Sequence, residues 1–90
     1  MTRYTLAAGT RLEALTDSWA AFSALSGDTL QLNAEAAAVL EHLAAQPMEE
    51  AAVAEALASE AAVPITTIAE LLHDLWPQLL SAGLICKVAS

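Results

Sequence analysis

Few residues in this chain have side chains suited to chemistry. The soft metal ligands are His42, His73 and Cys86, and they lie far apart in the sequence. A structural zinc takes four ligands, usually gathered in closely spaced pairs, so the two histidines read as surface residues on polar helix faces. Cys86 falls within the apolar ending Leu84-Ile85-Cys86-Lys87-Val88 and reads as a small buried hydrophobe. A nucleophilic thiol needs a base beside it, and none is indicated. Glu49 and Glu50 are adjacent, and neighbours on a helix do not face a common point. A carboxyl pair for glycoside hydrolysis also needs a cleft that so short a chain hardly encloses. Gly9, Gly27 and Gly83 stand singly, so no phosphate-cradling loop is present. These readings predict a protein that is no enzyme and carries no metal or cofactor.

Asp17-Ser18-Trp19 invites a comparison with small acidic carrier proteins, whose modified serine opens a second helix after a long first one. Here Asp17-Ser18 comes early with no helix before it, and a turn between strands is the better reading. The charge balance excludes other classes. Three basic residues stand against eleven acidic ones, a net charge of −8, and Arg3, Arg11 and Lys87 lie near the two ends. Nucleic-acid binding draws on Lys and Arg neutralising phosphates, and anionic membranes are disfavoured on the same ground. The acidity reads first as a solvated surface and second as a means of steering towards a basic partner. The N-terminus shows no unbroken apolar region of the signal-peptide kind. The uncharged run Leu75–Cys86 contains Pro77 and Gln78 and is too short to span a bilayer. One cysteine excludes an internal disulfide and fits a reducing compartment, so a cytoplasmic location is expected.

The elements that must position any site follow from patterning. Ninety residues form a single domain with a thin core, since twenty-two of the apolar residues are alanines that bury little area. Before Asn33 the pattern is short alternating segments divided by turn residues: Tyr4 with Leu6, Leu12 with Ala14, Trp19 with Ala21, Ser23 and Leu25, and Leu30 with Leu32. This predicts two or three antiparallel strands between about residues 3 and 32, with hairpin loops at the Asp and Gly positions.

After Asn33 the chain is helical, with helices expected at about 34–45, 48–61 and 67–82. Asn33 is a good N-cap, with Glu35 following in the first turn. Ala36, Val39, Leu40, Leu43 and Ala44 form the buried stripe of the first helix, and Val53 and Leu57 anchor the second. Pro47 suits the first position of the second helix. Thr67-Ile68-Ala69-Glu70 fits a capping box at the start of the third. In that helix Ile68, Leu72, Leu75 and Leu79 lie near one line, with Leu71 on one side and Trp76 and Leu80 on the other. The apolar arc covers about half the circumference, wider than the ~100° stripe a surface helix needs, which leaves surface for a partner. Pro77 should kink or loosen this helix at Trp76. Gly83 is placed for a left-handed C-cap with Leu84 folding back, and a short strand should follow. The fold class is therefore α+β: a small N-terminal antiparallel sheet packed on a three-helix, winged helix-turn-helix-like bundle, with a short C-terminal strand. As a DNA reader the third helix fails, because its exposed side offers Glu70, His73, Asp74, Gln78 and Ser81 and no arginine.

The run Leu30-x-Leu32-Asn33-x-x-Ala36-x-x-Val39-Leu40, then a second amphipathic helix, then Leu71-x-x-x-Leu75 and Leu80-x-x-Gly83-Leu84-Ile85, resembles the PqqD-like family. These small peptide chaperones are named after pyrroloquinoline quinone biosynthesis protein D and also described as precursor-peptide recognition elements. The resemblance spans about Leu12 to Ile85. It implies a non-catalytic adaptor that binds the leader of a ribosomally made precursor peptide and presents it to a modifying enzyme. The leader adds as a strand beside the third strand, in a groove walled by the third helix. Carried onto this sequence, the strand is Asp28, Thr29, Leu30, Gln31 and Leu32, and the wall includes Ile68, Leu71, Leu72, Leu75 and Trp76. The ending Trp76-x-x-Leu79…Gly83-Leu84-Ile85 resembles a subgroup associated with HPr-kinase-related systems, whose partners are a kinase-related protein and a nucleotidyltransferase-like protein. The alanine-rich Trp19–Leu25 segment, the uncapped start of the second helix and Pro77 depart from the family pattern. The alternative is a winged-helix interaction module without peptide cargo, such as a homodimerisation unit.

Overall fold

The computed structural model describes residues 2–88. Four short strands precede Asn33: β1 (Tyr4–Leu6), β2 (Arg11–Ala14), β3 (Trp19–Phe22) and β4 (Thr29–Leu32). Three helices follow, α1 (Ala34–Ala45), α2 (Glu50–Ala61) and α3 (Ile65–Ser81), and then the strand β5 (Ile85–Lys87). The α+β class is as expected, but the strands divide between two sheets. An antiparallel meander runs in the order β2-β3-β4, while β1 pairs with the C-terminal β5. The turn at Gly9 therefore joins strands of different sheets. Ala7 N–H donates to the Leu84 carbonyl at 2.9 Å, so the chain's two ends are stitched together just before that turn.

Register places Leu12, Ala14, Trp19, Ala21, Leu30 and Leu32 on the inner face of the meander and Arg11, Glu13, Ala20, Phe22, Thr29 and Gln31 on the outer one. The inner face packs on a core built from Val39, Leu40, Leu43, Val53, Leu57, Leu72, Trp76, Leu79 and Leu84. The alanines of β3, weak strand formers in isolation, are tolerated because Ala21 is central and fully buried.

Asn33 caps α1 as expected, its Oδ1 accepting the Ala36 N–H at 2.9 Å. Ala44, expected in the buried stripe of α1, is exposed, and Ala37 is buried instead. Two helix starts differ from expectation. Pro47 does not open α2, because Met48 is extended and exchanges two main-chain hydrogen bonds with Tyr4, at 2.8 and 3.0 Å. The bridge to β1 delays the helix to Glu50. Thr67 does not cap α3 either: the helix begins at Ile65 with Pro64 as its boundary residue, and the Thr67 N–H donates to the Pro64 carbonyl. The proline's fixed φ leads the chain into the first turn two residues ahead of the capping box. Pro77 lies inside α3 on the exposed side, and the helix continues past it to Ser81. At its end Gly83 has φ +76°, Leu84 N–H donates to the Leu79 carbonyl and Gly83 N–H to that of Leu80, each at 3.1 Å. These two bonds define a Schellman cap, with Leu84 folded back as expected.

Candidate functional site

Hydrogen-bond parity determines which main-chain groups β4 leaves open. In an antiparallel ladder, alternate residues turn both N–H and C=O towards the same neighbour. Ser23 N–H donates to the Asp28 carbonyl at 2.9 Å, in register with the pairs Ala21–Leu30 and Trp19–Leu32. Leu30 and Leu32 thus face β3. Thr29 and Gln31 point their main-chain groups away from it. The bond from Leu15 N–H to the Ser18 carbonyl, 2.8 Å, gives the same parity from the other side of β3. As β4 ends the strand order, the outward N–H and C=O of Thr29 and Gln31 have no strand partner among the described residues.

Beside this edge lies a cleft of about 130 Å³ between β4 and α3, lined by Leu30, Gln31 and Leu32 on one side and Leu75, Gln78, Leu79 and Ala82 on the other, with Leu84 also in its lining. Leu30, Leu32 and Leu75 are half-buried, so apolar surface remains open next to unpaired main chain.

Both ends of β4 are tied down. At the N-terminal end the β3–β4 loop is held to the end of α3. Ser23, fully buried, donates from Oγ to the Gly83 carbonyl at 3.1 Å, and Ser26 Oγ donates to the Ala82 carbonyl at 3.4 Å. At the C-terminal end the Asn33 cap joins β4 to α1. Across the sheet, Gln31 Nε2 donates to Ser18 Oγ at 3.1 Å.

The expected site residues separate into three groups. Asp28, Thr29, Leu30, Gln31 and Leu32 lie on or at the start of the edge strand, and Leu75 lies across the cleft. Leu72 and Trp76 are core, 0% and 3% exposed; the Trp76 ring meets Tyr4 edge-on at 5.2 Å and its indole N–H has no hydrogen-bond partner among the described residues. They support the wall from behind rather than form its surface. Ile68 and Leu71 line a second, larger pocket of about 270 Å³ between the start of α1, the end of α2 and the start of α3. Ala34, Ala38, Leu57 and Ala61 complete its apolar lining and Glu35 and Glu60 its acidic rim.

Sequence reasoning misses Gln78, Leu79, Ala82 and Leu84, which line the cleft. The wall facing β4 lies about one helical turn closer to the C-terminus than the Ile68–Trp76 portion that the resemblance implies. Spacing holds the signal: Leu71, Leu75, Gln78 and Ala82 recur at helical intervals and share one side of α3. The apolar line itself runs on to Leu79, but the resemblance places the wall at Ile68–Trp76, and Gln78 and Ala82 do not stand out as groove residues.

No group of three His, Cys, Asp or Glu side chains converges among the described residues, and no helix of these residues is long and apolar enough to cross a membrane. His42 Nε2 and a Glu60 carboxylate oxygen approach to 3.1 Å on the surface, near the rim of the larger pocket. The site's resources are thus main-chain donors and acceptors, apolar side chains and peripheral carboxylates, which suit binding an extended peptide. Neither the curated proteins nor the solved structures contain a match to this chain. A family match covers residues 10–85, from the start of the meander to β5, and by it the chain belongs to the family described as coenzyme PQQ synthesis protein D (PqqD), whose general role is that of a precursor-peptide-binding chaperone.

Proposed function

We propose that this protein binds the leader of a ribosomally made precursor peptide by adding it as a strand to β4, and presents it to a modifying enzyme without doing chemistry itself. The observation that carries the reading is the outward main chain of Thr29 and Gln31 beside the apolar cleft formed with α3. Strand addition draws affinity from main-chain hydrogen bonds and specificity from pockets that take alternate side chains. The Leu30–Leu32 and Leu75–Ala82 walls offer such pockets. Leu72 and Trp76 act by holding α3 in place.

Titration of isotope-labelled protein with the leader segments of precursor peptides from the same genome tests this. Saturable shifts are expected at Thr29, Gln31, Leu75, Gln78 and Ala82. No saturable shift with any of them would overturn the reading. Within the family, the Trp76-x-x-Leu79…Gly83-Leu84-Ile85 ending supports a place among the HPr-kinase-related systems, with a kinase-related or nucleotidyltransferase-like protein as partner. Trp76, Leu79, Leu84 and Ile85 are all buried, so this assignment is tested by co-purification: a kinase-related partner is expected, and a radical enzyme would contradict it.

A further inference from the structure

The pocket between α1, α2 and α3 lies beyond the C-terminal end of β4. Ala34, the first residue of α1, is three positions past Gln31 and already lines it. On α3, Leu71 belongs to this pocket and Leu75, one turn on, to the cleft beside β4. Leu71 is 37% exposed, among the more exposed large apolar residues of the molecule. One side of α3 therefore passes from cleft to pocket without a polar break, and the pocket mouth carries two carboxylates, Glu35 and Glu60.

We propose that this pocket is a second recognition subsite for the same peptide, taking one large aliphatic or aromatic side chain with a lysine or arginine next to it. The inference rests on strand addition at β4. Antiparallel pairing, the mode of every strand pair in this structure, sends the N-terminal flank of the incoming strand towards Asn33 and the pocket. An extended chain advances about 3.3 Å per residue, so a flank of two or three residues covers the step from Gln31 to the pocket. Apolar lining selects the anchor side chain. The Glu35 and Glu60 carboxylates, in a chain of net charge −8, select its neighbour by charge and disfavour an acidic one.

The probe is a synthetic peptide with an alternating Val-Thr-Val-Thr-Val strand preceded by Lys-Leu, compared with peptides in which that pair is Glu-Leu or Gly-Ser. Amide shifts at Thr29 and Gln31 report strand addition, and methyl shifts at Leu57, Ile68 and Leu71 report the pocket. The Lys-Leu peptide is expected to move both sets and to bind roughly three- to tenfold more tightly than Glu-Leu, by a margin that salt reduces. The Gly-Ser peptide should move the amides alone. Replacing both carboxylates, Glu35→Lys with Glu60→Lys, should invert the preference. Should that variant not fold, Glu60→Gln alone should narrow it. Amide shifts without methyl shifts for the Lys-Leu peptide would overturn this subsite and leave strand addition standing. Methyl shifts without amide shifts would overturn the shared-peptide arrangement, and silence in both sets would overturn the subsite, while the reading it rests on stands or falls on the leader titration.

Discussion

The meander has two edges, and they are built differently. β2 leaves the main chain of Leu12 and Ala14 facing outward, as β4 leaves that of Thr29 and Gln31. Both edges therefore offer backbone. Beside β4 runs α3, and the gap between them is lined largely with leucine and alanine. β2 contributes two charged residues, Arg11 and Glu13, to a pocket of another kind. That pocket lies on the outer face of the sheet, mixes Arg11, Glu13 and Thr29 with Ala20 and Phe22, and has the Arg11 guanidinium over the Phe22 ring at 5.9 Å. Arg11 and Glu13 are the charged kind of residue that discourages strand pairing at an edge. An unpaired edge alone is thus common and uninformative, whereas an edge with an apolar wall and both ends fixed is what the proposed strand addition calls for.

That contrast can be pressed at several points. Leu72→Ala should cost the most, about 2–5 kcal/mol by urea denaturation, because it empties a fully buried core site behind the wall. It should unsettle both edges alike. Leu71→Ala, at a position 37% exposed on the same helix, should cost distinctly less, and equal losses for the two would erase the distinction between core and surface drawn on α3. Gly83→Ala imposes a side chain at φ +76° and places its Cβ 3.0 Å from Ser23 Oγ. A loss of about 1–2 kcal/mol is expected from the left-handed conformation alone, together with faster amide exchange at the β4 end of the sheet than at Leu12 and Ala14. Gln31→Pro removes an outward N–H without breaking the bonds to β3. Leader affinity should fall at least roughly tenfold, and Ala14→Pro, the corresponding change on β2, should leave it unchanged. Gln31→Glu, which keeps the N–H, should matter less than Gln31→Pro. Asn33→Ala, which frees the Ala36 N–H, should cost about 1 kcal/mol.

Much of this arrangement is legible in the amino-acid sequence. Asn33 as a strand-to-helix boundary, Gly83 as a left-handed cap and Leu30-x-Leu32 as a half-buried strand are local features, each written in a few neighbouring residues. The features that patterning does not reveal depend on long-range pairing. The two main-chain bonds of Met48 to Tyr4 override the helix-starting preference of Pro47, and nothing near Pro47 announces them. Tyr4–Leu6 alternates like a hairpin strand but finds its partner at the other end of the chain. The resemblance places the wall of the cleft about one turn too early, because Gln78 and Ala82 contribute by position. Leucines by themselves do not show which of Leu71, Leu72 and Leu75 are buried. The strand order and the rotation of α3 decide that.

Amide hydrogen exchange on the leader-bound protein tests the central claim most directly. Strand addition at β4 requires the Thr29 and Gln31 amides to slow markedly when a leader peptide is bound, with the exposed-edge amides of Leu12 and Ala14 staying as fast as in the free protein. A bound leader that leaves Thr29 and Gln31 unprotected, or that protects Leu12 and Ala14 instead, would contradict the account.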